Sequence, residues 1–327
     1  MTWLLTGGAG YIGAHITRAL SDAGLDVVVL DDLSDGFAEN VPAGVPFVHA
    51  NILDTDLVTT TLRDYNVTGV VHLAAKKAVG ESVAKPLYYY EQNVIGTHHL
   101  LTAMEATGVK RILFSSSAAT YGESGVELMN EESPTAPTSP YGESKLVSEW
   151  MIRDQAKAVG LSYACLRYFN VAGAGAPALG DRGVNNLIPM VLRALTTGKT
   201  PQVFGADYNT RDGSCIRDYI HVADLAVAHA MVAKHIEDVG AQGTQVARAY
   251  NVGTGTGTSV FEVLDAVRTV TGIDFEPDVV GRRPGDPARI VASSERISRE
   301  LGWTAKLDIS DMVRSAWEAW QANPAAS

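Results

Sequence analysis

Thr6-Gly7-Gly8-Ala9-Gly10-Tyr11-Ile12-Gly13 stands almost at the start of this 327-residue chain. Before it, Thr2 to Thr6 reads as a short apolar strand with Trp3-Leu4-Leu5 at its centre. After it, Tyr11 to Ala23 places Ile12, Ile16, Leu20 and Ala23 on one face of a helix. Val27-Val28-Val29-Leu30 then reads as a buried parallel strand that ends on Asp31. Strand, glycine turn, helix, strand and acid form the order that cradles a dinucleotide pyrophosphate. In that reading Gly7 permits the tight turn, Gly10 lets the backbone approach the phosphates, and Gly13 lets the helix pack against the sheet. The helix start at Tyr11 and Ile12 turns free N–H groups and a positive dipole end toward them.

Asp31 is placed to accept hydrogen bonds from the adenosine ribose hydroxyls. A 2′-phosphate would meet Asp31, Asp32 and Asp35 with no basic residue between them in the sequence. The expected cofactor is therefore NAD, not NADP.

A second motif follows in the middle of the chain. Tyr141-Gly142-Glu143-Ser144-Lys145 comes after Ser115-Ser116-Ser117. Tyr-x-x-x-Lys alone is a weak signal, but four residues on a helix bring the two side chains to one face. A unit positive charge ~5 Å from a phenol contributes ~3 kcal/mol at an effective dielectric of ~20, roughly two pKa units. With the nicotinamide cation adding a similar amount and burial opposing both, a net fall of ~3 units is expected for Tyr141. Tyr141 would then move a proton on and off a sugar or alcohol oxygen, with Ser117 holding that oxygen.

Composition narrows the rest. Hydrophobic residues make up 46% and charged residues 19%, as in a folded globular protein. The net charge of −11, with no basic stripe, argues against a nucleic-acid partner. No apolar run approaches the length of a membrane span, and the first strand leaves no room for a leader. Cys165 and Cys215 are the only thiols, which suits a reducing cytoplasm. His98-His99 is the one tempting metal pair, but adjacent helical residues point about 100° apart, so no metal is expected.

Strands and helices alternate through the first half. Strands are expected near Val45–Ala50, Val70–His72, Ile112–Phe114 and Tyr163–Tyr168. Helices are expected near Asp54–Tyr65, Pro86–Thr107 and Pro140–Val159. That alternation implies an α/β fold with a doubly wound parallel Rossmann sheet, whose ligands bind beyond the carboxyl ends of the strands. After Asn170 glycine and proline become dense and strands short. The expected division is residues 1–175 for NAD and residues 176–327 as a smaller C-terminal α/β substrate-binding region, some of whose segments return to the first domain.

With these motifs placed, the chain resembles the UDP-hexose 4-epimerases of the extended short-chain dehydrogenase/reductase family. The stretches that carry the resemblance are TGGAGYIGAH, HLAAKKAVGES, NVIGT, SSSAATYG, PYGESK, LRYFNVAGA, NNLIP, RDYIHV, YNVGTGTGTSV and RRPGD. It implies an isomerase with Ser117, Tyr141 and Lys145 as catalytic residues. It implies NAD held by Gly7, Gly10, Tyr11, Ile12, Gly13, Asp31, Asp32, Asn51, Ile52, Leu73, Ala74, Ala75, Lys77, Asn93, Ser115, Tyr141, Lys145 and Tyr168. It implies a UDP-sugar held by Lys77, Ser117, Tyr141, Asn170, Asn186, Leu187, Phe204, Arg217, Arg283 and Asp286. It also implies a homodimer, with the helices near Pro86–Thr107 and Tyr141–Val159 forming the interface.

Two positions depart from the family, which commonly has Asn at Asp32 and Asp at Asn51. The resemblance also implies that the position of Ile290 lines the space beside the sugar, where its size would tune which sugars enter. A 4,6-dehydratase would need a carboxylate beside the serine, where this chain continues Ser117-Ala118-Ala119-Thr120. UDP-N-acetylhexosamine or UDP-pentose epimerases, a simple dehydrogenase and a non-catalytic NAD sensor remain alternatives at this point.

Overall fold

A computed structural model describes residues 1–123, 126–283 and 286–323. In chain order the first elements are β1 (Thr2–Thr6), α1 (Tyr11–Asp22), β2 (Asp26–Asp31), β3 (Phe47–His49), α2 (Thr55–Asp64) and β4 (Val67–His72). Next come α3 (Val79–Ala84), α4 (Pro86–Tyr89), α5 (Gly96–Thr107), β5 (Arg111–Ser117), α6 (Pro140–Val159) and β6 (Ser162–Tyr168). Then follow β7 (Asn170–Ala172), α7 (Leu187–Thr196), β8 (Gln202–Phe204), β9 (Ile216–His221), α8 (Val222–Ala241) and β10 (Ala247–Val252). The last are β11 (Gly257–Ser259), α9 (Val260–Thr271), β12 (Asp278–Val280), β13 (Arg289–Ile290), α10 (Glu295–Leu301) and α11 (Ile309–Ala322).

The chain divides into two compact units. The first comprises Met1–Ser124, Glu131–Arg167 and Ala226–Tyr250. Its sheet has the order β10-β6-β5-β4-β1-β2-β3. β1 runs parallel to β2 and to β4, β2 to β3, and β4 to β5. The order turns back between β1 and β4, and a doubly wound sheet opens its ligand crevice at such a switch point. Strand alternation sends Leu4, Val28, Val70, Ile112 and Phe114 into one apolar layer with Leu62, Leu100, Met104 and Ile152 from the helices. All nine are at most 2% exposed. Trp3 is fully buried, and its indole N–H donates to Glu237 of α8 at 2.8 Å.

Two long helices differ from the sequence expectation. The helix expected over Pro86–Thr107 is interrupted by a π-helical segment at Tyr90–Ile95. One widened turn leaves the hydrophobic period almost unchanged, so it is invisible to a 3.6-residue reading. The 20-residue helix α8 was not expected at all. Leu225, Ala226, Ala228, Val232, Ala233 and Ile236 are all buried, and their spread round the helix leaves no single apolar stripe to read.

The second unit comprises Gly125–Asn130, Tyr168–Leu225 and Asn251–Ser327. Its four-stranded sheet runs β11-β9-β13 with β7 also on β9, and β12 pairs with β8. α7, α9 and α11 close over an apolar cluster that includes Ile188, Leu192, Val263, Leu264, Met312 and Val313. Reciprocal capping boxes start α9 (Ser259 with Glu262) and α11 (Asp308 with Asp311). The fully buried Asp218 carboxylate accepts from Thr254 N, Thr254 Oγ1, Gly255 N and Ala292 N at 2.7–3.1 Å. Four donors offset its desolvation and fix the loop after β10.

A Cβ at Gly69 would lie 2.9 Å from Trp3 ring atoms, whereas one at Gly80 would meet nothing within 4 Å. Gly69→Ala is expected to lower stability by about 1–3 kcal/mol through overpacking. Gly80→Ala should stay within about 0.5 kcal/mol of the wild type. Urea unfolding midpoints check both.

Candidate active site

The glycine-rich turn is built by close backbone approach. Gly7 has φ +77, and a Cβ there would lie 2.8 Å from Ala74 N. A Cβ at Gly13 would lie 2.1 Å from Gly7 O, so helix α1 and the turn touch through bare backbone. Gly10 is the N-cap of α1, with no side-chain cap and no acidic residue in the first turn, which holds Tyr11 and Ile12. An uncapped helix start opened by a glycine fits a pyrophosphate.

The other expected cofactor residues gather at the same strand ends. Leu73 N and Ala74 N both donate to Thr6 O, at 3.0 and 3.1 Å, carrying the chain through Ala75 past the glycine turn. Asp31 closes β2 and accepts from Ala9 N at 2.9 Å and Leu33 N at 2.8 Å. Burial raises its carboxyl pKa, and these two bonds oppose the rise. A carboxylate has about four acceptor positions, so acceptor capacity remains for a ligand. Asn51 Nδ2 donates to Asp32 Oδ2 at 2.8 Å, and Asn51 Oδ1 accepts from Leu53 N at 2.9 Å. Ile52 is buried, with its Cγ2 2.9 Å from where a Cβ on Gly96 would stand.

One expectation needs correcting. A basic residue does reach the acidic cluster: Lys76 Nζ donates to Asp35 Oδ2 at 2.7 Å and to Ser34 Oγ at 2.9 Å. Lys76 is more than 40 residues away in sequence, so only the fold brings it there. Lys77, its neighbour in the motif, is exposed. Asn93 sits in the middle of the π-helical segment and holds the Lys76 backbone with both ends of its amide. It accepts from Lys76 N at 2.8 Å and donates to Lys76 O at 3.0 Å and Ser144 Oγ at 2.9 Å.

Ser117, Tyr141 and Lys145 come together where β5 meets α6. Ser117 stands beside the Tyr141 phenol, and its hydroxyl accepts from Ala119 N at 3.1 Å. Lys145 is 4% exposed; its Nζ donates to Ser115 O at 2.9 Å and lies 4.9 Å from the centroid of the Phe114 ring. Ser115 Oγ bonds His229 Nε2 at 2.9 Å. The expected fall in the Tyr141 pKa is not what these residues alone produce. Burial raises the phenol above its usual value, and Ser117 only opposes that rise. The Lys145 ammonium is drawn to a carbonyl, and burial brings its own pKa down to about 8. His72, fully out of solvent contact with the same charge, is pushed down to about 3.

The second unit holds the other expected residues. Tyr168 ends β6, and Asn170 opens β7 and is exposed. Asn186 is the N-cap of α7, ahead of Leu187, and its Nδ2 donates to Asp181 Oδ2 at 2.7 Å. The Arg283 guanidinium stacks 3.7 Å over the Phe204 ring. Arg217 is paired with Asp286, and its Nη1 donates to Ile216 O at 2.8 Å. Pro284 and Gly285 of the RRPGD stretch lie outside the described residues. Arg282, beside Arg283, pairs with Asp207 and stacks 4.2 Å over Tyr208. Thr6, His72, Lys76 and Arg167 lie within the stretches quoted above but carry no expected role there, and Glu149 lies outside all of those stretches.

The family model for the NAD dependent epimerase/dehydratase family matches residues 3–253. The chain belongs to that family. The chain is 46% identical to a UDP-glucose 4-epimerase of Halalkalibacterium halodurans over 99% of its own length and 97% of that protein's. Among solved structures, one UDP-glucose 4-epimerase superposes with a TM-score of 0.94 at 42% identity, covering 99% of this chain and 98% of that one. A UDP-glucose 4-epimerase from Bifidobacterium longum, in complex with NAD+ and UDP, superposes with a TM-score of 0.92 at 38% identity over 100% of both chains. This family member uses NAD, and its glycine turn and uncapped α1 suit that cofactor.

Gly13→Ala should therefore expel the dinucleotide, because the new methyl group has no room against Gly7 O. The expected outcome is at least a ~10-fold loss of nucleotide released on denaturing the purified protein, with a lower unfolding midpoint. A wild-type nucleotide content in this variant would show that α1 does not pack on the bound cofactor.

Proposed function

We propose that this chain interconverts UDP-glucose and UDP-galactose by inverting C4 of the sugar, with NAD retained through the cycle. The observation that carries the chemistry is the convergence of Ser117 and Tyr141 where β5 meets α6, with Lys145 fixed one helical turn on by the Ser115 carbonyl. NAD, held by the glycine turn and Asp31, would supply the hydride acceptor and donor for C4. Tyr141 removes the proton from the O4 hydroxyl as the C4–H bond breaks, leaving a 4-keto sugar, and gives a proton back when the alcohol re-forms. Ser117 holds O4 and keeps the Tyr141 oxygen in line. Lys145 supplies the positive charge that favours phenolate, and the charge is lost as pH rises through its pKa of about 8.

Residues 1–175 supply the NAD contacts in this reading, through the glycine turn, Asp31, Asp32, Asn51, Ile52, Leu73–Ala75, Lys77, Asn93, Ser115, Tyr141, Lys145 and Tyr168. Residues 176–327 supply most of the UDP contacts, with Asn170 added from the first part. Arg217 and Arg283 suit a diphosphate because a guanidinium makes paired, charge-assisted bonds. Asp286 suits ribose hydroxyls, while Asn186, Leu187 and Phe204 shape the nucleotide site. UDP stays anchored while the keto sugar turns over.

A homodimer and a cytoplasmic location belong to the same reading. Leu87 (80% exposed), Val83 (64%), Ile95 and Trp150 (45% each) present apolar side chains on α3, α4, the π-helical segment and α6. Leu100 and Leu146, expected on the same interface, are buried instead. Among the described residues no helix is long and apolar enough to cross a membrane.

Three measurements test the proposal. Purified protein given UDP-galactose without added NAD should form UDP-glucose, and Tyr141→Phe should lower turnover by at least ~10² while keeping its nucleotide. Release of NADH in place of epimerisation would favour a dehydrogenase. Light scattering should show a dimer at micromolar concentration and a monomer for Leu87→Asp/Trp150→Glu. Ile290 pairs in register with Arg217 on β9. Its intermediate size should disfavour UDP-N-acetylhexosamines by roughly 10- to 200-fold. Ile290→Gly should raise activity on UDP-N-acetylgalactosamine far more than on UDP-galactose, and equal wild-type turnover of both would remove Ile290 as the gate.

A further inference from the structure

The ion pair between Glu149 and Arg167 takes no part in the chemistry above, yet both residues are only 7% exposed. Arg167 of β6 donates from Nε to Glu149 Oε1 at 2.9 Å, from Nη2 to Oε2 at 2.5 Å, and from Nη1 to the Tyr121 hydroxyl at 3.0 Å. Ser116 Oγ donates to Glu149 Oε1 at 2.5 Å. Taking such a pair out of water costs several kcal/mol per ion, so stability alone is a poor reason for it.

Its position on α6 suggests a different role. Tyr141, Lys145 and Glu149 are spaced four residues apart and so follow one side of the helix as phenol, ammonium and carboxylate. Three successive residues of β5 meet them: Ser117 stands beside Tyr141, the Ser115 carbonyl takes Lys145, and Ser116 bonds Glu149.

We propose that Glu149 is a positioning residue for the catalytic pair, locking β5 to α6 through Ser116 and keeping the Lys145 ammonium charged in the working pH range. The groups facing Lys145 come from five elements. α6 contributes Tyr141 and Glu149, and β4 contributes His72, held neutral by burial. β5 contributes the Phe114 ring and the Ser115 carbonyl, α8 places His229 on Ser115 Oγ, and β6 places Arg167 on Glu149. Glu149 is the standing negative charge among them. Burial lowers the Lys145 pKa to about 8, and Glu149 opposes that fall. Arg167 orients the carboxylate through two hydrogen bonds.

The proposal rests on the epimerase reading, and the test separates the two. Activity on UDP-galactose is followed from pH 6 to 10 in wild type, Glu149→Gln, Glu149→Asp and Glu149→Gln/Arg167→Gln, with bound nucleotide and thermal midpoint measured for each. The double variant removes the guanidinium that Glu149→Gln leaves unpaired. Glu149→Gln and the double variant should move the alkaline fall in kcat down by about one pH unit. At pH 8.5 kcat should drop ~10-fold, with KM within twofold and nucleotide content unchanged. Glu149→Asp, which keeps the charge, should keep the wild-type alkaline limb.

An ultraviolet titration of Tyr141, read as the difference from Tyr141→Phe, should move upward in both Glu149→Gln proteins. A lower thermal midpoint with wild-type pH profile and wild-type Tyr141 titration would overturn the proposal and leave Glu149 a purely structural residue. An inactive wild type would overturn the epimerase reading instead, and the Tyr141 titration would still decide the role of Glu149.

Discussion

The bond from Lys145 Nζ to the Ser115 carbonyl is the constraint on which the catalytic arrangement depends. It joins the carboxyl end of a central strand to the second turn of α6, and it does so with a charge that has almost no contact with solvent. An ammonium so placed has little freedom: a backbone carbonyl fixes its direction, and the Phe114 ring stabilises it from the side. The cost appears in the same group, because burial brings the lysine close to neutrality in the pH range where it must stay charged. A short-range bond that positions the cation and a desolvation that weakens it therefore come from the same burial. The buried carboxylate on the next turn of the helix acts on that conflict.

Around this centre the first unit is tied by polar contacts that span the strand ends. Thr6 O collects two amides from the loop after β4, Asp31 collects one from the glycine turn, and Asn93 holds the Lys76 backbone from both sides. The Thr6 hydroxyl meets His72 at 2.7 Å, and His72 meets Thr97 at 3.2 Å. Each bond is modest alone, at about 1 kcal/mol net. Together they hold β1, β2 and β4 in the register that leaves a crevice at the switch point. The π-helical segment belongs to this set, since it presents Asn93 with both its side chain and its carbonyl in use.

Much of this was legible in the sequence because its signals are local. The glycine turn, the apolar strands and the Tyr141–Lys145 spacing each occupy a few consecutive residues, and a period or a turn residue betrays them. The reading failed where the signal is carried by the fold. Lys76 reaches Asp35 from another loop, so an inventory of bases near the acids in sequence could not count it. α8 is apolar on several faces, so no stripe marked it as a helix. The electrostatics of Tyr141 failed for a related reason: a four-residue spacing gives proximity but not the direction of a lysine side chain, which here turns to Ser115. Glu149 has no motif, and only the strand opposite it gives it a role.

The two positions that depart from the resembled family form a pair. Asn51 Nδ2 donates to Asp32 Oδ2, so these two positions are joined by an amide-to-carboxylate bond. What changes is the place of the negative charge, which now adjoins Asp31 and lies near Asp35. Both neighbours raise the Asp31 pKa, which burial has already raised. Three carboxylates on one loop would repel, and a like-charge pair favours protonation of one member. The fold answers with donors: Ser34 N and Asn51 bond Asp32, and the Lys76 charge lowers the Asp32 pKa while its ammonium pairs with Asp35. Lys76 and Asp32 are therefore best read together, the lysine allowing the carboxylate to stand where an amide is common. A substitution judged at one of these positions without the others would misassign its electrostatic effect.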